Sequence, residues 1–444
     1  MQLPALAQAD LEAFVEQALA EALSAGASAA DVGVSVDTGL SVTVRLGAVE
    51  TLEYQRDRGL GITAYVGQRK GTATTADLSA GALADTVRKA VSIARFTAAD
   101  DCAGLPEAET LAREIPELEL SHPWALEAEA AIELMQRCEA AALAVDPRIK
   151  NSEGASLSAH RALRMYGNSL GFRGGFPSTY YSCSCVVLGQ QDAAMERDYW
   201  YTAARDWRVL EDVEAVGRRA AERTRARLGA RRIPTTRAAV LFVPELARGL
   251  IGHFVAAIRG GAQYRRSSFL LDTAGSQVFP AFFNISERPH LLRALGSAPF
   301  DGEGCATRDR ELVAGGVLDG YVLNTYAARK LGLKTTGNAG GVHNLLVHPG
   351  PDDYAALLRR LGRGLVVTEL IGQGVNGVTG DYSRGAVGFW VEGGAVQFPV
   401  SEITIAGNLR EMFRDLVAVG NDVDERGSIR TGSILVAEMT IAGE

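Results

Sequence analysis

The sequence predicts an α+β protein built of two unlike halves. The N-terminal half mixes antiparallel strands with flanking helices, and the C-terminal half is sheet-rich, barrel-like or a sandwich, with few helices. Three observations predict this. Apolar and polar residues alternate in several runs between residues 31 and 74, with an amphipathic helix on either side. The same order of helix, strands and helix recurs between residues 126 and 228. Beyond residue 237, apolar strands and glycine turns outnumber helices.

The first helix starts at Asp10 as N-cap and runs to about Ala25, with Leu11, Phe14, Val15, Ala18 and Leu19 on one face. Strands follow at Asp31–Asp37, Leu40–Leu46, Glu50–Gln55 and Gly61–Val66, and Gly67-Gln68 turns the chain into Arg69–Thr74. A second amphipathic helix spans Ser79 to Phe96. Residues 97–124 contain Pro106, Pro116 and Pro123 and five acidic residues from Glu107 to Glu119, which reads as an extended surface connection. A helix over 126–145 comes next. Strands at Ile149–His160, Arg161–Tyr166, Ser178–Leu188 and Ala193–Ala204 follow, and a helix over 212–228 closes the half. The repeated order predicts an N-terminal region over 1–228 made of two similar units, 1–96 and 125–228. GARRIPTT, residues 229–236, is the linker to a C-terminal domain over 237–444.

In that domain Ala238–Val243 is a strand and Pro244 opens a helix to Ile258. GGAQYRRSSFL is a loop, RELVAGGVLDGYVL a hairpin turning at Gly315-Gly316, Tyr326–Leu331 a short helix and Val342–His348 a strand. Leu365–Leu370 is a buried strand. The glycine-rich loop after it, Gly372–Gly385, holds Gln373, Asn376, Asp381, Tyr382, Ser383 and Arg384. A loop of that length between strands reads as functional. Gly393-Gly394 turns a hairpin of Ala386–Glu392 and Ala395–Val400, with Pro399 at an edge or strand end. SEITIAGN is a further short strand. Asn408 then caps a helix to Val419, with Glu411 completing a capping box.

At 444 residues the chain can bury two or three cores, and 47% hydrophobic with 22% charged residues is ordinary globular composition. A net charge of -8 argues against nucleic acid as a partner, and the basic run Arg218–Arg232 reads as a solvated helix face. No apolar run is long enough to cross a bilayer, and MQLPALAQADLEAF lacks a secretory pattern, so no membrane partner is expected and the location expected is cytoplasmic. Five scattered cysteines, an odd number, suit reduced thiols. Cys183 and Cys185 point to one face of a strand without further ligands nearby and read as buried structural thiols. Two formal motifs lack their context. Gly372–Gly377 matches GxGxxG but leads into a loop and strand where a nucleotide site needs a helix, and Gly167–Gly171 matches GxSxG but joins two strands.

A set of segments then carries a resemblance: GHFVAAIRGG, YRRSSFLLD, PFDGEG, YAARKLGLKTTGNAGG, GLVVTELIGQGVN, TGDYSRGAVGFWVE, FPVSEITIAGNL and SILVAEMTIAG, with RGLGITAYVGQRKGTATT and YGNSLGF in the first half. They resemble the TldD/PmbA family, on its PmbA or TldE branch, over nearly the whole chain. The resemblance implies cytoplasmic proteolysis by a TldD/TldE heterodimer that clips unfolded or leader-bearing peptides. It also implies a metal in TldD, held by the two histidines of HExxxH and a cysteine near the C-terminus, with the glutamate acting on metal-bound water. The segment aligned with HExxxH reads Arg248-Gly249-Leu250-Ile251-Gly252-His253, and GNDVDERGSIRTGS has no cysteine.

One imidazole cannot hold a catalytic zinc, which takes three protein ligands and an open position. The resemblance therefore implies a non-catalytic subunit with no cofactor of its own, which shapes the substrate chamber while zinc or iron sits in the TldD-type partner. Candidate peptide contacts are Thr368, Glu369, Gln373, Asn376, Asp381, Tyr382, Ser383, Arg384, Asn338 and His343, with Leu365–Leu370 as a strand edge for an extended peptide. The other role open to Asp381 and Arg384 is an ion pair fastening the loop. Two other readings stay open. One is a metallopeptidase in its own right, built on His253 and His343 with Asp301 or Glu303 and Cys305; the other is a peptide-binding module without chemistry. A homodimer is a further alternative to the heterodimer.

Overall fold

The computed structural model describes residues 6–443; the first five residues of the opening stretch lie outside it. The N-terminal part is α1 (Gln8–Ser24), β1 (Ala29–Arg45), β2 (Ala48–Val66), β3 (Arg69–Thr75) and α2 (Ala80–Phe96), then α3 (Ala128–Leu143), β4 (Ile149–Asn168), β5 (Arg173–Gln191), β6 (Ala194–Ala204) and α4 (Val213–Arg227). Ala7, not Asp10, is the N-cap of α1. Asp10 sits one turn in and reaches back to accept the Ala7 N–H at 2.7 Å.

The strands are longer than the sequence suggests. Gly39 does not break β1, because it stays paired with Gln55 on one side and His160 on the other. A Cβ there would lie 2.4 Å from the His160 ring, so the glycine serves close approach. The same pairing carries β4 through Arg161 without a break.

These strands form one antiparallel sheet in the order β3-β2-β1-β4-β5-β6, symmetric about the β1–β4 pair. Helices cover one face of it. α1 and α2 bury Leu11, Val15, Leu83 and Val87 against Val32, Val34, Leu60 and Ile62. α3 and α4 cover Val42, Val44, Leu157, Cys183 and Cys185, and bring a third buried thiol, Cys138, against the other two. The opposite face stays open, so the sheet is a half-barrel.

The C-terminal part is β7 (Thr236–Phe242), α5 (Pro244–Ile258), α6 (Gly260–Tyr264), β8 (Ile285–Glu287), β9 (Arg310–Ala314), β10 (Val317–Leu318), α7 (Thr325–Lys330), β11 (Leu345–Val347), α8 (Tyr354–Leu361), β12 (Gly364–Ile371), β13 (Asp381–Glu392), β14 (Ala395–Asn408), α9 (Leu409–Arg414), β15 (Leu416–Val419), β16 (Ile429–Arg430) and β17 (Ile434–Ala442). Strands β14-β13-β12-β7-β17 close into a five-stranded barrel where β14 meets β17 at Thr404–Ala406, and β15 extends β17. A smaller sheet, β10-β9-β8-β11-β16, packs beside it.

Closure corrects several expectations. β12 is no edge, because β13 pairs with one side and β7 with the other. The predicted loop ends at Gly380, and Asp381, Tyr382, Ser383 and Arg384 lie on β13. Of the two roles expected for Pro399, edge or strand end, the edge fits: β14 runs on from Ala395 to Asn408, and β17 pairs with it only at 404–406, beyond the proline. The last predicted helix stops at Arg414, because Leu416, Ala418 and Val419 pair with β17.

The connection over 97–124 is extended, as its prolines suggest, and is fastened to the C-terminal part. Glu107 pairs with Arg329 at 2.8 Å, and Tyr326 Oη and Lys330 Nζ donate to Asp100 at 2.7 and 2.9 Å. The Cys102 N–H, then Tyr326 and Lys330, hold the Asp100 carboxyl down at about 2 from its ordinary 3.8. A depressed carboxyl contributes stability that is present above pH 3.8 and lost as pH falls through about 2. Asp100→Asn is accordingly expected to lower Tm at pH 6, with the difference from wild type shrinking towards pH 2 in thermal melts.

Candidate functional site

The helix that the resemblance assigns to metal chemistry is α5, an apolar helix started by Pro244 and buried against the barrel through Ala247, Leu250, Ile251 and Phe254. Arg248, where the first metal ligand would stand, is fully engaged. It donates to Tyr201 Oη at 2.6 Å and the Arg426 carbonyl at 3.2 Å, and its Nη1 lies 3.7 Å from Asp424. Asp424 and Arg426 belong to the C-terminal segment where the resemblance implies a cysteine. Arg426 binds Asp424 at 2.8 Å and Glu245 at 3.3 Å and lies 4.3 Å from the Trp200 and Tyr201 ring centres. Burial alone would raise Asp424, but Arg426 and Arg248 outweigh it and hold the carboxyl below its usual range. A closed network of two arginines and two carboxylates therefore occupies this region and ties the half-barrel to the barrel.

His253, five residues along the same helix, is half-buried with its ring edge-on to Tyr382, the centroids 6.1 Å apart. Burial and the nearby Arg384 charge lower the imidazole from its usual value, while burial pushes Tyr382 up to about 12. The family's metal does not fit these residues. One ligand position is a guanidinium bonded to a tyrosine, the base position is a glycine with no side chain, and the remaining histidine faces a second arginine.

The other predicted residues fall into three groups. Glu369 and Thr368 on β12 turn towards α4, where Arg227, 1% exposed, pairs with Glu369 and Asp198 and reaches Thr368. In the loop after β12, Gln373 is exposed and Asn376 Oδ1 accepts the N–H groups of Val378 and Thr379. Asp381 takes the Thr379 hydroxyl at 2.6 Å and Asn408 Nδ2 at 3.3 Å, so no Asp381–Arg384 pair fastens the loop. Ser383 is exposed, and its backbone N–H donates to Gly374.

The third group divides: His343 lies at the floor of a cleft of ≈ 1210 Å³ between the open face of the half-barrel and the loops 295–302 and 339–343, whereas Asn338 lines a smaller pocket beside it with Arg259 and Tyr326. Glu287 organises that floor. Only 2% exposed, it accepts from Arg310 at 2.7 Å, Asn338 Nδ2 at 2.8 Å and the His343 backbone N–H at 2.6 Å. His343 Nε2 meets the Gly337 carbonyl at 3.2 Å, and burial lowers its pKa, with Glu287 opposing. The cleft walls include Arg58, His160, Arg164, Tyr166, Phe176 and Arg205, none singled out by sequence. Burial brings Arg205 down to about 10, the Arg164 charge adding to the effect. These residues sit on three strands and a loop, and no local motif marks them.

Asp301 also lines the cleft. Its Oδ1 accepts the N–H groups of Glu303 and Cys305, both at 2.9 Å, and its Oδ2 that of Ala339 at 2.9 Å. Ligand atoms of Asp301, Glu303 and Cys305 lie within 4.8 Å of one another, the one such metal-capable group among the described residues; neither His253 nor His343 joins it. Burial lifts Asp301 to about 6 and, with the Asp301 charge, Cys305 to about 12.

A half-barrel set beside a closed barrel, with a cleft of ≈ 1210 Å³ over the half-barrel's open face, defines the class by its architecture, and the matching domains give that class as a metallopeptidase family. The chain matches the PmbA/TldA metallopeptidase C-terminal domain over residues 235–443, the central domain over 121–228 and domain 1 over 30–94. It is 49% identical to the metalloprotease PmbA of Escherichia coli O157:H7 over 434 residues, which covers 98% of this chain and 96% of that one. Among solved structures, a Bacteroides thetaiotaomicron protein provisionally described as a DNA gyrase modulator superposes with TM-score 0.93 at 27% identity, covering 99% of this chain and all of that one. TldE from Thermococcus kodakarensis shares the fold, with TM-score 0.84 at 19% identity over 97% of this chain and all of that one. The chain belongs to the PmbA/TldD metallopeptidase family, on its PmbA/TldE branch.

Proposed function

We propose that this chain is the non-catalytic, TldE-type subunit of a cytoplasmic metallopeptidase. In this reading it pairs with a TldD-type subunit that carries the metal and forms one wall of the chamber that receives unfolded or leader-bearing peptides. The observation that carries the proposal is the arginine at position 248, held by Tyr201, Asp424 and the Arg426 carbonyl where a metal ligand would be needed. Conversion to a metal site would require breaking that network as well as adding ligands.

The peptide surface in this proposal is the cleft, with His343 at its floor and Asn338 in the small pocket beside it, together with the Gly372–Gly380 loop at the barrel. Barrel closure removes β12 as a strand for an incoming peptide. Free strand edge exists in the half-barrel instead, where residues 49–55 of β2 pair with β1 while β3 pairs with β2 only from Leu60 to Val66. Leu52 and Tyr54 there are 43% and 70% exposed. Strand addition reads backbone and tolerates varied side chains, which suits unfolded substrates. A fluorescent unfolded peptide should bind the purified chain with similar affinity before and after scrambling its sequence, and mass spectrometry should find it uncut. Strong preference for one sequence, or cleavage by the chain alone, contradicts the proposal.

No helix among the described residues is long and apolar enough to cross a membrane.

A further inference from the structure

The turn 301–306 holds a collection of groups that neither the α5 network nor the cleft floor uses. It is built tightly. Asp301 caps it by accepting two of its N–H groups, and Gly304 takes φ +77 where a Cβ would lie 2.7 Å from the Phe172 ring. Both sides of the connection strap it down, through Ala306 N to the Thr110 carbonyl and Ala112 N to the Gly304 carbonyl, each at 2.9 Å. These contacts account for the backbone. They also give the Asp301 carboxylate three N–H donors, but no counter-charge.

Asp301, 3% exposed, and its neighbour Glu303 have no ion-pair partner among the described residues; Asp31 of β1 adds a further carboxyl nearby, offset by the Lys70 charge. Glu303 accepts the Thr325 N–H at 2.9 Å through Oε2, which leaves Oε1 for another partner. Cys305 Sγ, 1% exposed, stands within 4.8 Å of both carboxylates. Thr325 supplies the independent observation. Only 2% exposed, it sets its hydroxyl towards the Cys305 thiol in a geometry too poor for a hydrogen bond. A buried hydroxyl left unpaired is costly, and buried carboxylates are ordinarily paired or bound to a cation.

We infer that Asp301, Glu303, Cys305 and the Thr325 hydroxyl form a binding site for one divalent transition-metal cation, with zinc as the class that fits. Two carboxylate oxygens, one sulfur and one hydroxyl make a compact mixed set. The sulfur favours zinc over calcium or magnesium, which take all-oxygen shells. On binding, Cys305 releases its proton to solvent as the metal–sulfur bond forms, and the cation balances the carboxylate charge. The site is structural. It joins the turn, the start of α7 and the connection strand at Leu111, which bridges to Cys305, and so stiffens one end of the cleft. The inference is independent of the proposed function, because this group includes neither His253 nor His343.

The test is cobalt(II) titration of the purified full chain followed by near-ultraviolet absorption, with parallel zinc equilibrium dialysis. One equivalent with a thiolate-to-cobalt charge-transfer band is expected in wild type and in His253→Ala. Cys305→Ser should abolish the band and weaken zinc at least ten-fold, and Thr325→Val should weaken zinc while keeping the band. Wild type failing to bind either metal, or binding without the band, overturns the inference and leaves the proposed function intact. Binding lost in His253→Ala but kept in Cys305→Ser overturns both.

Discussion

Glu287→Ala is expected to destabilise the chain by about 3–5 kcal/mol, the range for stripping one partner from a buried ion pair. Glu287 is the single acceptor that Arg310, Asn338 and the His343 backbone share at the floor of the cleft. Removing it leaves the Arg310 charge with only the Asn338 and Tyr321 oxygens, the Asn338 amide with only the Gly341 carbonyl, and the His343 N–H without its acceptor. Replacing the pair together, Glu287→Leu with Arg310→Met, should be milder than Glu287→Ala alone, because no charge is then stranded. Urea unfolding of the three proteins measures this. Peptide affinity should fall in Glu287→Ala even at temperatures where it stays folded, since the segment 338–343 loses its anchor. Equal stability of the single and double variants would show that the ion pair does not organise the floor.

Arg227→Met carries the second large effect, about 3 kcal/mol, at the low end of the same range. The guanidinium is buried between Asp198 of β6 and Glu369 of β12 and so joins the half-barrel to the barrel. The loss is moderated because Asp198 keeps Arg223 at 3.2 Å and Glu369 keeps Arg197 at 3.6 Å. Because the contact crosses from α4 to the barrel, the variant is expected to melt in a broader or two-step transition by calorimetry. It also separates two roles for Glu369. If that carboxylate binds peptide directly, freeing it raises peptide affinity; if its role is this joint, affinity does not rise.

Elements carried by local pattern were legible in the sequence. α5 has Pro244 at its start and an apolar face, and the β13–β14 hairpin has Gly393 and Gly394 at φ 58 and 74. The symmetric order of helix, strands and helix in the first half was readable for the same reason. Where the reading failed, the deciding contact lies far away in sequence. β12 looked like an edge because its partner β7 is more than a hundred residues earlier, and barrel closure through β14 and β17 leaves no local trace. Gly39 looked like a break because the His160 ring that needs its space belongs to another strand. For the candidate site, Asn338 and His343 were reachable as polar residues in a glycine-rich segment. Glu287 and Arg205 were not, since a lone acid in a three-residue strand and a lone arginine after β6 signal nothing until the cleft assembles around them. Cys138 was hidden likewise, on a helix that packs over Cys183 and Cys185 only in three dimensions.

The proposed division of labour is tested most directly by turnover of a labelled unfolded peptide in the presence of zinc, by this chain alone and by this chain mixed with a TldD-type subunit. The expected result is no cleavage above buffer for the chain alone and cleavage by the mixture, unchanged in rate when this chain carries His253→Ala. Cleavage by the chain alone that disappears in His253→Ala would contradict the account and place a working metal centre on α5.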